Sequence, residues 1–369
     1  MQWNLKKMWA TTATSLVAFT SLLNADVDNS QVRNLENRVS ALEQRRGASG
    51  IINPPGRPQV KDGYDVFLYG DLLVWQAHEN GLALGIVSHS NSTTNAIIDG
   101  KVKNLDFEWD VGFRLGVGYN LPHDGWDVNL TWLRFYTDGH KNTHADDDEV
   151  IYPKVSHPGD LIANNETCEK LHAHWDLHLN QLDLDLGREF FVSKWLTLRP
   201  HFGIRTDWIH QKFKVDYDDV AFSPHNESDV ETENKDHWWA IGLNGGLDTQ
   251  WGLGGGWSIY SNLGAAILYG FHKVSYEDED EPATQFGIDA DNSYHISHPV
   301  LDLQLGLRWD YMFSHDRFHL GLQGGWEHHV YFSQNQFMFF TDDFNNGTFV
   351  TNQGDLTFQG WTLAARFDF

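Results

Sequence analysis

The stretch WDVGFRLGVGYNLPHDGWDVNLTWLRFY, residues 109–136, contains the pattern that decides the fold. Every second residue from Trp109 to Tyr119 is aromatic or aliphatic, and the residues between them are Asp, Gly or Arg. An alternation of period two is typical of a β-strand with one apolar and one polar face. The turn LPHDG leads into a second alternating segment that begins at Trp126. The stretch therefore predicts two antiparallel strands joined by a short turn.

The same arrangement recurs along the chain, and the connections between strands alternate between short turns and long polar segments. The long segments lie near 79–104, 138–171, 214–236, 274–297 and 335–354. The pattern predicts about ten strands, with twelve as the alternative count. The eight further strands are YDVFLYGDLLVWQ (64–76), HWDLHLNQLDLDLG (174–187), LTLRPHFGIRTDW (196–208), HWWAIGLNGGLDT (237–249), GWSIYSNLGAAILYGF (256–271), VLDLQLGLRWDY (300–311), RFHLGLQGGWEHH (317–329) and DLTFQGWTLAARFDF (355–369).

Alternating strands of this length match what a tilted strand needs to cross a bilayer. Short turns at one end and long loops at the other are typical of transmembrane barrels, whereas a soluble sandwich has no reason to keep every second connection long. A closed barrel leaves no edge, so its last strand pairs with its first. We therefore predict an all-β, transmembrane antiparallel barrel over residues 64–369, in the bacterial outer membrane, with both termini periplasmic and the long loops extracellular.

Aromatic residues at the ends of the apolar strand faces predict the girdle that such barrels place at the membrane boundary. In a soluble β protein these residues would instead form the core. Phe367 and Phe369 continue the apolar face of the last strand and resemble the insertion signal read by the barrel assembly machinery. The predicted girdle comprises Trp109, Trp126, Trp175, Trp239, Trp257, Trp309, Trp326 and Trp361.

Composition excludes several other classes of protein. The formal charge is −25, from 26 Lys and Arg against 51 Asp and Glu, so the surface repels nucleic acid. Mean hydropathy is −0.46, and no run of about 20 apolar residues occurs beyond the N-terminus, which excludes a helical membrane protein. Cys168 is the single cysteine, so no intramolecular disulfide framework can form.

The N-terminal part of the sequence predicts three segments before the barrel. Residues 1–25 have a basic start, an apolar middle and a small residue before the expected cleavage, as in a signal peptide; a buried helix is the alternative. Residues 26–46 predict a short coiled coil, which would join copies of the chain, or a lone amphipathic helix on the barrel. Residues 47–63 are rich in Gly and Pro and predict a linker. The coiled-coil spacing of 3, 4 and 3 comes from Val32, Leu35, Val39 and Leu42.

Four stretches together resemble the major outer membrane protein family of Legionella, whose porin-like, pore-forming members also occur in Chlamydia-related bacteria. They are RNLENRVSALEQR, YDVFLYGDLLVWQ, WDVGFRLGVGYNLPHDGWDVNLTW and GWTLAARFDF, and the resemblance covers residues 27–369. It implies a barrel that forms a passive pore. Chlamydial members are associated with many cross-linking cysteines, and this chain departs from that pattern because it has only Cys168.

The polar strand face predicts charged side chains in the lumen, where fixed charges select the ions that pass. A narrow barrel can instead be filled by ion pairs and carry nothing, and the resemblance favours the pore. We expect passive diffusion of ions or small solutes, without catalysis or cofactor. The alternative is a non-conducting barrel that anchors acidic loops for a structural or adhesive role beside outer-membrane lipid and lipopolysaccharide. The candidate lining residues are Arg114, Arg199, Arg205, Arg308, Arg366, Asp110, Asp127, Asp176, Asp207, Asp302 and Asp310.

Two clusters of histidines raise other functions. A metal ion could bind where alternate residues of one strand share a face, but solvated side chains at the barrel rim are the simpler interpretation. A rim cluster at Glu327, His328 and His329 invites comparison with ten-stranded omptin-type surface proteases, yet no motif fixes a catalytic pair. The sequence thus predicts neither a metal site nor an active site. The metal candidates are His172, His174, Asp176 and His178.

Overall fold

The computed structural model describes residues 53–89, 99–122, 124–158, 167–222, 226–281, 287–342, 345 and 347–369. The predicted signal peptide and the predicted helix or coiled coil lie outside these residues, as does the first part of the linker. Residues 55–369 form one compact unit. Within the described ranges, no helix is long and apolar enough to cross a membrane.

Ten long antiparallel strands, each hydrogen-bonded to the next in chain order, make up the wall of the molecule in its described part. The first also pairs with the last, from Phe67–Asp368 to Glu79–Leu356, so the sheet closes. The prediction of an all-β, ten-stranded closed barrel is confirmed. The strands are β1 (Val66–Glu79), β2 (Trp109–Asn120), β3 (Trp126–His144), β4 (Lys170–Arg188), β5 (Leu196–Phe222), β6 (Asn226–Gly254), β7 (Trp257–Glu281), β8 (Gly287–Phe313), β9 (Phe318–Tyr331) and β10 (Leu356–Asp368).

The two ends of the barrel differ, and we call them the turn end, with the short connections, and the loop end. Strands β5, β6, β7 and β8 run for 27, 29, 25 and 27 residues, whereas crossing a bilayer takes about 9–11. These strands continue well past the apolar band at the loop end. The sequence prediction of long loops at 214–236 and 274–297 is therefore wrong, because most of both segments is strand.

Short elements from the connections fold into the loop end. Leu84, Ile151 and Phe337 from these connections join the apolar core inside the barrel. The elements are a three-stranded sheet of Ala83–Ser88, Gly100–Asn104 and Val150–Pro153, a pair formed by Met338–Phe340 and Phe349–Thr351, and the short strand Asp106–Phe107 on β3. The short strand Phe190–Phe191, which pairs with β5, lies at the turn end.

Except for Trp175, the predicted aromatic residues lie on the outer face of the barrel, at both ends of an apolar band. Towards the loop end, Trp109 meets Trp326 edge to face with ring centroids 6.0 Å apart, and Trp326 meets Trp361 at 5.3 Å. Towards the turn end, Trp257 lies on the outside and pairs with Trp309 on the next strand. The sequence analysis missed three exposed members of the same band: Trp195, Trp208 and Trp251.

Two facing predictions on β4 are wrong. Trp175 is fully buried inside the barrel, where its Nε1 donates to Gln211 Oε1 at 3.0 Å, and Asp176 consequently points outward. The apolar face of this strand changes side: Leu177 and Leu179 face inward, whereas Leu182 and Leu184 face outward. The physical reason is that exposed apolar side chains cover the outer face only near the turn end. Beyond this band the outer face is polar and the interior is packed with apolar side chains.

On other strands too, the apolar residues change from the outer to the inner face, and this change is visible in the sequence. Where an outward and an inward apolar residue are adjacent in the chain, they interrupt the alternation of apolar and polar residues. Each pair marks the height at which the polar lumen gives way to a packed interior. These pairs are Leu72–Leu73, Trp132–Leu133, Trp208–Ile209 and Trp238–Trp239.

The last part of the predicted linker contacts the turn end. The Gly56 N–H donates to the Glu189 carbonyl at 3.0 Å, and Arg57 Nη1 donates to the Leu121 carbonyl at 3.1 Å. Lys61 Nζ then pairs with Asp316 at 2.7 Å. These partners belong to three different turns, so residues 56–61 lie across the turn end.

Candidate functional site in the barrel lumen

Except for Asp176, every predicted lining residue faces the interior of the barrel. Their side chains do not line an open channel of free charges. Each arginine is held by at least one carboxylate, and the pairs fall into two levels with a packed apolar level above them. The inward residues are Arg114, Arg199, Arg205, Arg308, Arg366, Asp110, Asp127, Asp207, Asp302 and Asp310.

The middle level is a chain of ion pairs that starts at β1. Arg114 Nη1 donates to Asp71 Oδ2 at 2.8 Å. The same guanidinium donates to Glu327 on β9 through both Nη atoms, at 3.1 and 2.8 Å. Parallel donation of this kind fixes the geometry of a carboxylate as well as its charge. Because β2 and β9 are not neighbours in the sheet, this contact crosses the lumen.

His329 continues the chain towards the opposite wall. Its Nδ1 lies 2.7 Å from Asp302 Oδ1 and its Nε2 lies 3.0 Å from Glu327 Oε2. Carboxylates accept hydrogen bonds, so both ring nitrogens donate and the ring carries a positive charge. Arg205 then joins Asp302 at 2.7 Å and Asp183 at 2.8 Å. We call the whole series the transverse chain: Asp71, Arg114, Glu327, His329, Asp302, Arg205 and Asp183.

A second set of ion pairs lies nearer the turn end. Arg199 pairs with Asp127 at 2.6 Å and with Asp248 at 2.9 Å. A separate run joins Arg308, Asp310, His319, Asp368 and Arg366 through contacts of 2.7–2.9 Å. Between these pairs and the transverse chain lies a polar cavity of about 300 Å³.

The interior just beyond the transverse chain is filled by apolar side chains, which we call the apolar layer. Its aromatic rings touch one another: Phe135 and Phe358 have ring centroids 5.8 Å apart, and Tyr331 meets Phe358 at 5.9 Å. None of its members is more than 2% exposed, so this level is dry. Nine of the ten strands contribute, and its members are Leu73, Trp75, Phe135, Leu177, Ile209, Trp238, Leu268, Val300, Tyr331 and Phe358.

Strand β2 contributes no side chain to the apolar layer, because Gly112 stands at the corresponding position. A Cβ on Gly112 would lie 2.7 Å from Phe135 Cδ2 and 2.8 Å from the Arg134 carbonyl oxygen. The missing side chain lets the Phe135 ring pack against the backbone of β2. The apolar layer is therefore complete around the barrel and closes the lumen in this structure.

Buried polar groups above the layer were not found by sequence reasoning. His272 Nδ1 donates to Asp236 Oδ2 at 2.9 Å, and His272 Nε2 lies 2.8 Å from His298 Nε2. His298 Nδ1 donates to the Phe332 carbonyl at 3.0 Å, so its Nε2 accepts from His272. The available signal was a polar residue at an inward position of an otherwise apolar face.

The two histidine clusters do not form the sites considered from sequence. His172 and His174 lie on the outer face, and His174 Nε2 is 3.1 Å from Asp176. Across the described ranges, no group of three or more His, Cys, Asp or Glu side chains is arranged to hold a metal ion. Glu327 and His329 do not lie at the rim as predicted, since both belong to the transverse chain beneath the apolar layer.

Comparison with known proteins gives a family match over residues 57–369, to the Legionella pneumophila major outer membrane protein precursor. No curated protein sequence matches significantly. Among solved structures, the outer membrane protease OmpT of Escherichia coli is 10% identical, covers 85% of this chain and 100% of its own, and has a TM-score of 0.38. A FadL homologue of Pseudomonas aeruginosa is 8% identical, with 82% and 90% covered and a TM-score of 0.30. The toluene transporter TodX of P. putida is 8% identical, with 86% and 93% covered and a TM-score of 0.25. No activity follows from similarity at this level.

Proposed function

The chain belongs to the family of the Legionella pneumophila major outer membrane protein, and from that premise we propose that it is an outer-membrane barrel with a closed lumen. Its loop end faces the cell exterior, and its tall strands β5–β8 present a rigid acidic wall above the membrane. The role is structural or adhesive rather than conductive.

The apolar layer is the observation that carries this proposal. An ion that entered from the turn end would meet Trp75, Phe135 and Phe358, each at most 1% exposed. Moving a charge into such a dry, apolar level costs many kcal/mol unless it finds partners there. Every cation of the transverse chain is paired with two carboxylates, so the chain has little net charge and offers a passing ion little attraction.

A passive pore for ions or small solutes is the second candidate, and the polar cavity favours it. The cavity of about 300 Å³ is large enough for small solutes or several waters. Conduction through it requires the apolar layer to move aside. A pore of this kind would be gated, with the layer as its gate.

Planar bilayer recordings separate the two functions. We expect the native protein to be silent and the variant W75A/F358A, which removes two rings of the layer, to show stepwise conductance. The control variant Leu72→Ala changes an outward neighbour and should remain silent. Stepwise conductance of the native protein would overturn the closed barrel and establish the pore. Heat-dependent gel mobility of each preparation verifies that the barrel is folded.

The orientation has its own test in intact cells. Gly347 lies in an exposed loop with open space around it, and Lys194 is exposed in a turn at the other end. An impermeant maleimide should label Gly347→Cys in intact cells and Lys194→Cys only after lysis. The reverse result would place the loop end in the periplasm.

A further inference from the structure

The outer face of strands β5, β6 and β7 changes its chemistry in three steps as it leaves the apolar band. Residues that are partners across neighbouring strands have similar chemistry, and the register places them side by side in rows. Aromatic rings come first, then imidazole and ammonium groups, then carboxylates. The rows are Trp208–Trp239–Phe271, His210–His237–Lys273, Lys212–Lys235–Ser275, the mixed row Lys214–Glu233–Glu277 and, farthest from the band, Asp216–Glu231–Glu279.

The rows His210–His237–Lys273 and Lys212–Lys235–Ser275 form what we call the basic band. The band is basic although the formal charge of the chain is −25. Its two rows lie two and four residues beyond Trp208, about 7 and 13 Å along the strand. His178 on β4 extends the first row, since it pairs with His210. His178, His210, His237 and Lys273 are all exposed on the outer face.

Like charges face one another in this band. Lys212 and Lys235 are direct cross-strand partners, and like charges so placed destabilise a sheet. Glu233 contacts both ammonium groups, with Lys212 Nζ at 2.6 Å, so one carboxylate serves two lysines. Among the described residues, Lys273 has no ion pair. The band therefore holds positive charge that the protein itself leaves uncompensated.

The imidazoles of the first row lie close enough together to oppose one another's protonation. The rings of His210 and His237 have centroids 4.6 Å apart. Partial burial, then the neighbours His237 and His178, lower the pKa of His210, because a charge on one ring opposes a charge on the next. An anion bound over His210 and His237 would offset the repulsion between their protonated rings.

We propose that the basic band binds the phosphate groups of a phosphorylated glycolipid, the lipid A headgroup of the outer leaflet. The aromatic row marks the membrane boundary, and the headgroup phosphates of the leaflet lie just beyond it. Ammonium groups bind phosphate oxygens through charge-assisted hydrogen bonds. The carboxylate row then lies farther out, at the level of the hydrated sugars. The assignment to the outer leaflet rests on the orientation proposed above.

Titration of the purified full-length protein in detergent with bisphosphorylated lipid A tests the proposal. The variant K212Q/K235Q/K273Q should bind at least tenfold more weakly than the native protein. The control variant K101Q/K103Q/K194Q removes three lysines outside the band and should bind within twofold of native. Lipid A stripped of its phosphates should bind the native protein as weakly as intact lipid A binds the triple variant. Inorganic phosphate at the same concentration should not compete.

Equal affinity of the native protein and the triple variant, with folding verified by heat-dependent gel mobility, would overturn the proposal. So would affinity that is independent of the lipid phosphates. Lys273→Gln removes a lysine that has no ion pair in the described part of the chain, so it should weaken binding without a folding defect if the triple variant is unstable. Titration in detergent does not depend on membrane orientation, so the labelling of Gly347→Cys decides the leaflet separately.

Discussion

Arg114 on β2 and Glu327 on β9 form a bidentate ion pair across the lumen, although β1 and β10 lie between their strands in the sheet. The Glu327 side chain is 1% exposed and that of Arg114 is 16% exposed. A buried pair of this kind braces the wall of the barrel from inside.

Loss of the Glu327 charge should destabilise the barrel. E327Q removes the negative charge that Arg114 and His329 both contact, and breaking a buried ion pair on one side costs about 3 kcal/mol or more. Asp110 faces the same lumen, but in the described part of the chain it forms no ion pair and accepts a hydrogen bond from Thr137 at 2.7 Å. D110N should therefore cost about 1 kcal/mol. Urea unfolding followed by tryptophan fluorescence measures both, and equal losses would contradict the bracing role.

Two adjacent tryptophans on β6 should respond very differently to truncation. Trp238 is 1% exposed inside the barrel, with ring centroids 5.9 Å from His272 and 5.4 Å from His298. Trp238→Ala should cost about 3–5 kcal/mol. Trp239 is 47% exposed on the outer face, so Trp239→Ala should cost less than about 1 kcal/mol. The same urea experiment measures both variants. A larger loss of unfolding free energy for Trp239→Ala than for Trp238→Ala would contradict the inward position of Trp238.

Stability should fall as the pH rises, through Glu79. This residue lies beyond the apolar band, where burial raises its pKa from the ordinary 4.5 to about 8. Between those values the unfolded chain is ionised while the folded chain keeps the proton, so the stability present below pH 4.5 is lost by pH 8. Glu79→Gln keeps an acceptor for Gln211 Nε2, which donates to Glu79 at 3.1 Å.

The measurement is the thermal unfolding of native protein and Glu79→Gln at pH 4 and pH 8.5. The variant should match native at pH 4 and melt higher at pH 8.5. Glu169→Gln, at an exposed position, is the control and should show no such difference. If the melting temperatures of Glu79→Gln and native protein differed by the same amount at both pH values, the raised pKa of Glu79 would be contradicted.

The single cysteine should be inert in the folded protein. Cys168 is 2% exposed, its N–H donates to the Ile151 carbonyl at 2.9 Å, and burial raises its pKa to about 12. Thiolate is the reactive form, so maleimide at pH 8 should label native protein roughly a hundredfold more slowly than urea-unfolded protein. Rapid labelling of the native thiol, as fast as that of Gly347→Cys, would contradict this and would allow disulfide links between copies.

The barrel itself was predictable because alternation and lipid contact act together on the turn-end half of each strand. Trp109 and Trp239 follow that rule, and both face outward. Alternation alone does not say which face of a strand is inside the barrel. Trp175 was therefore predicted to face outward, although it lies where the interior of the barrel is apolar. Adjacent apolar residues such as Leu72–Leu73 carried the missing signal.

The ion pairs needed more than the sequence provides. Arg114, Arg205 and Asp302 were recognised as inward, but their partners depend on register between distant strands. Arg114 and Glu327 are 213 residues apart in the chain. The basic band likewise emerges only when β5, β6 and β7 are placed in register, because each strand alone contributes one or two basic residues to it.

The pairing of β1 with β10 sets the order in which the molecule can be made. Every other seam joins strands that follow one another in the chain, whereas this one joins thirteen positions roughly 300 residues apart. Contacts of such long sequence separation form slowly, because a very large loop must close first. Until closure, β1 and β10 both present unpaired edges that can capture strands of other chains. Closure of this seam is therefore the step of folding at which aggregation competes most directly.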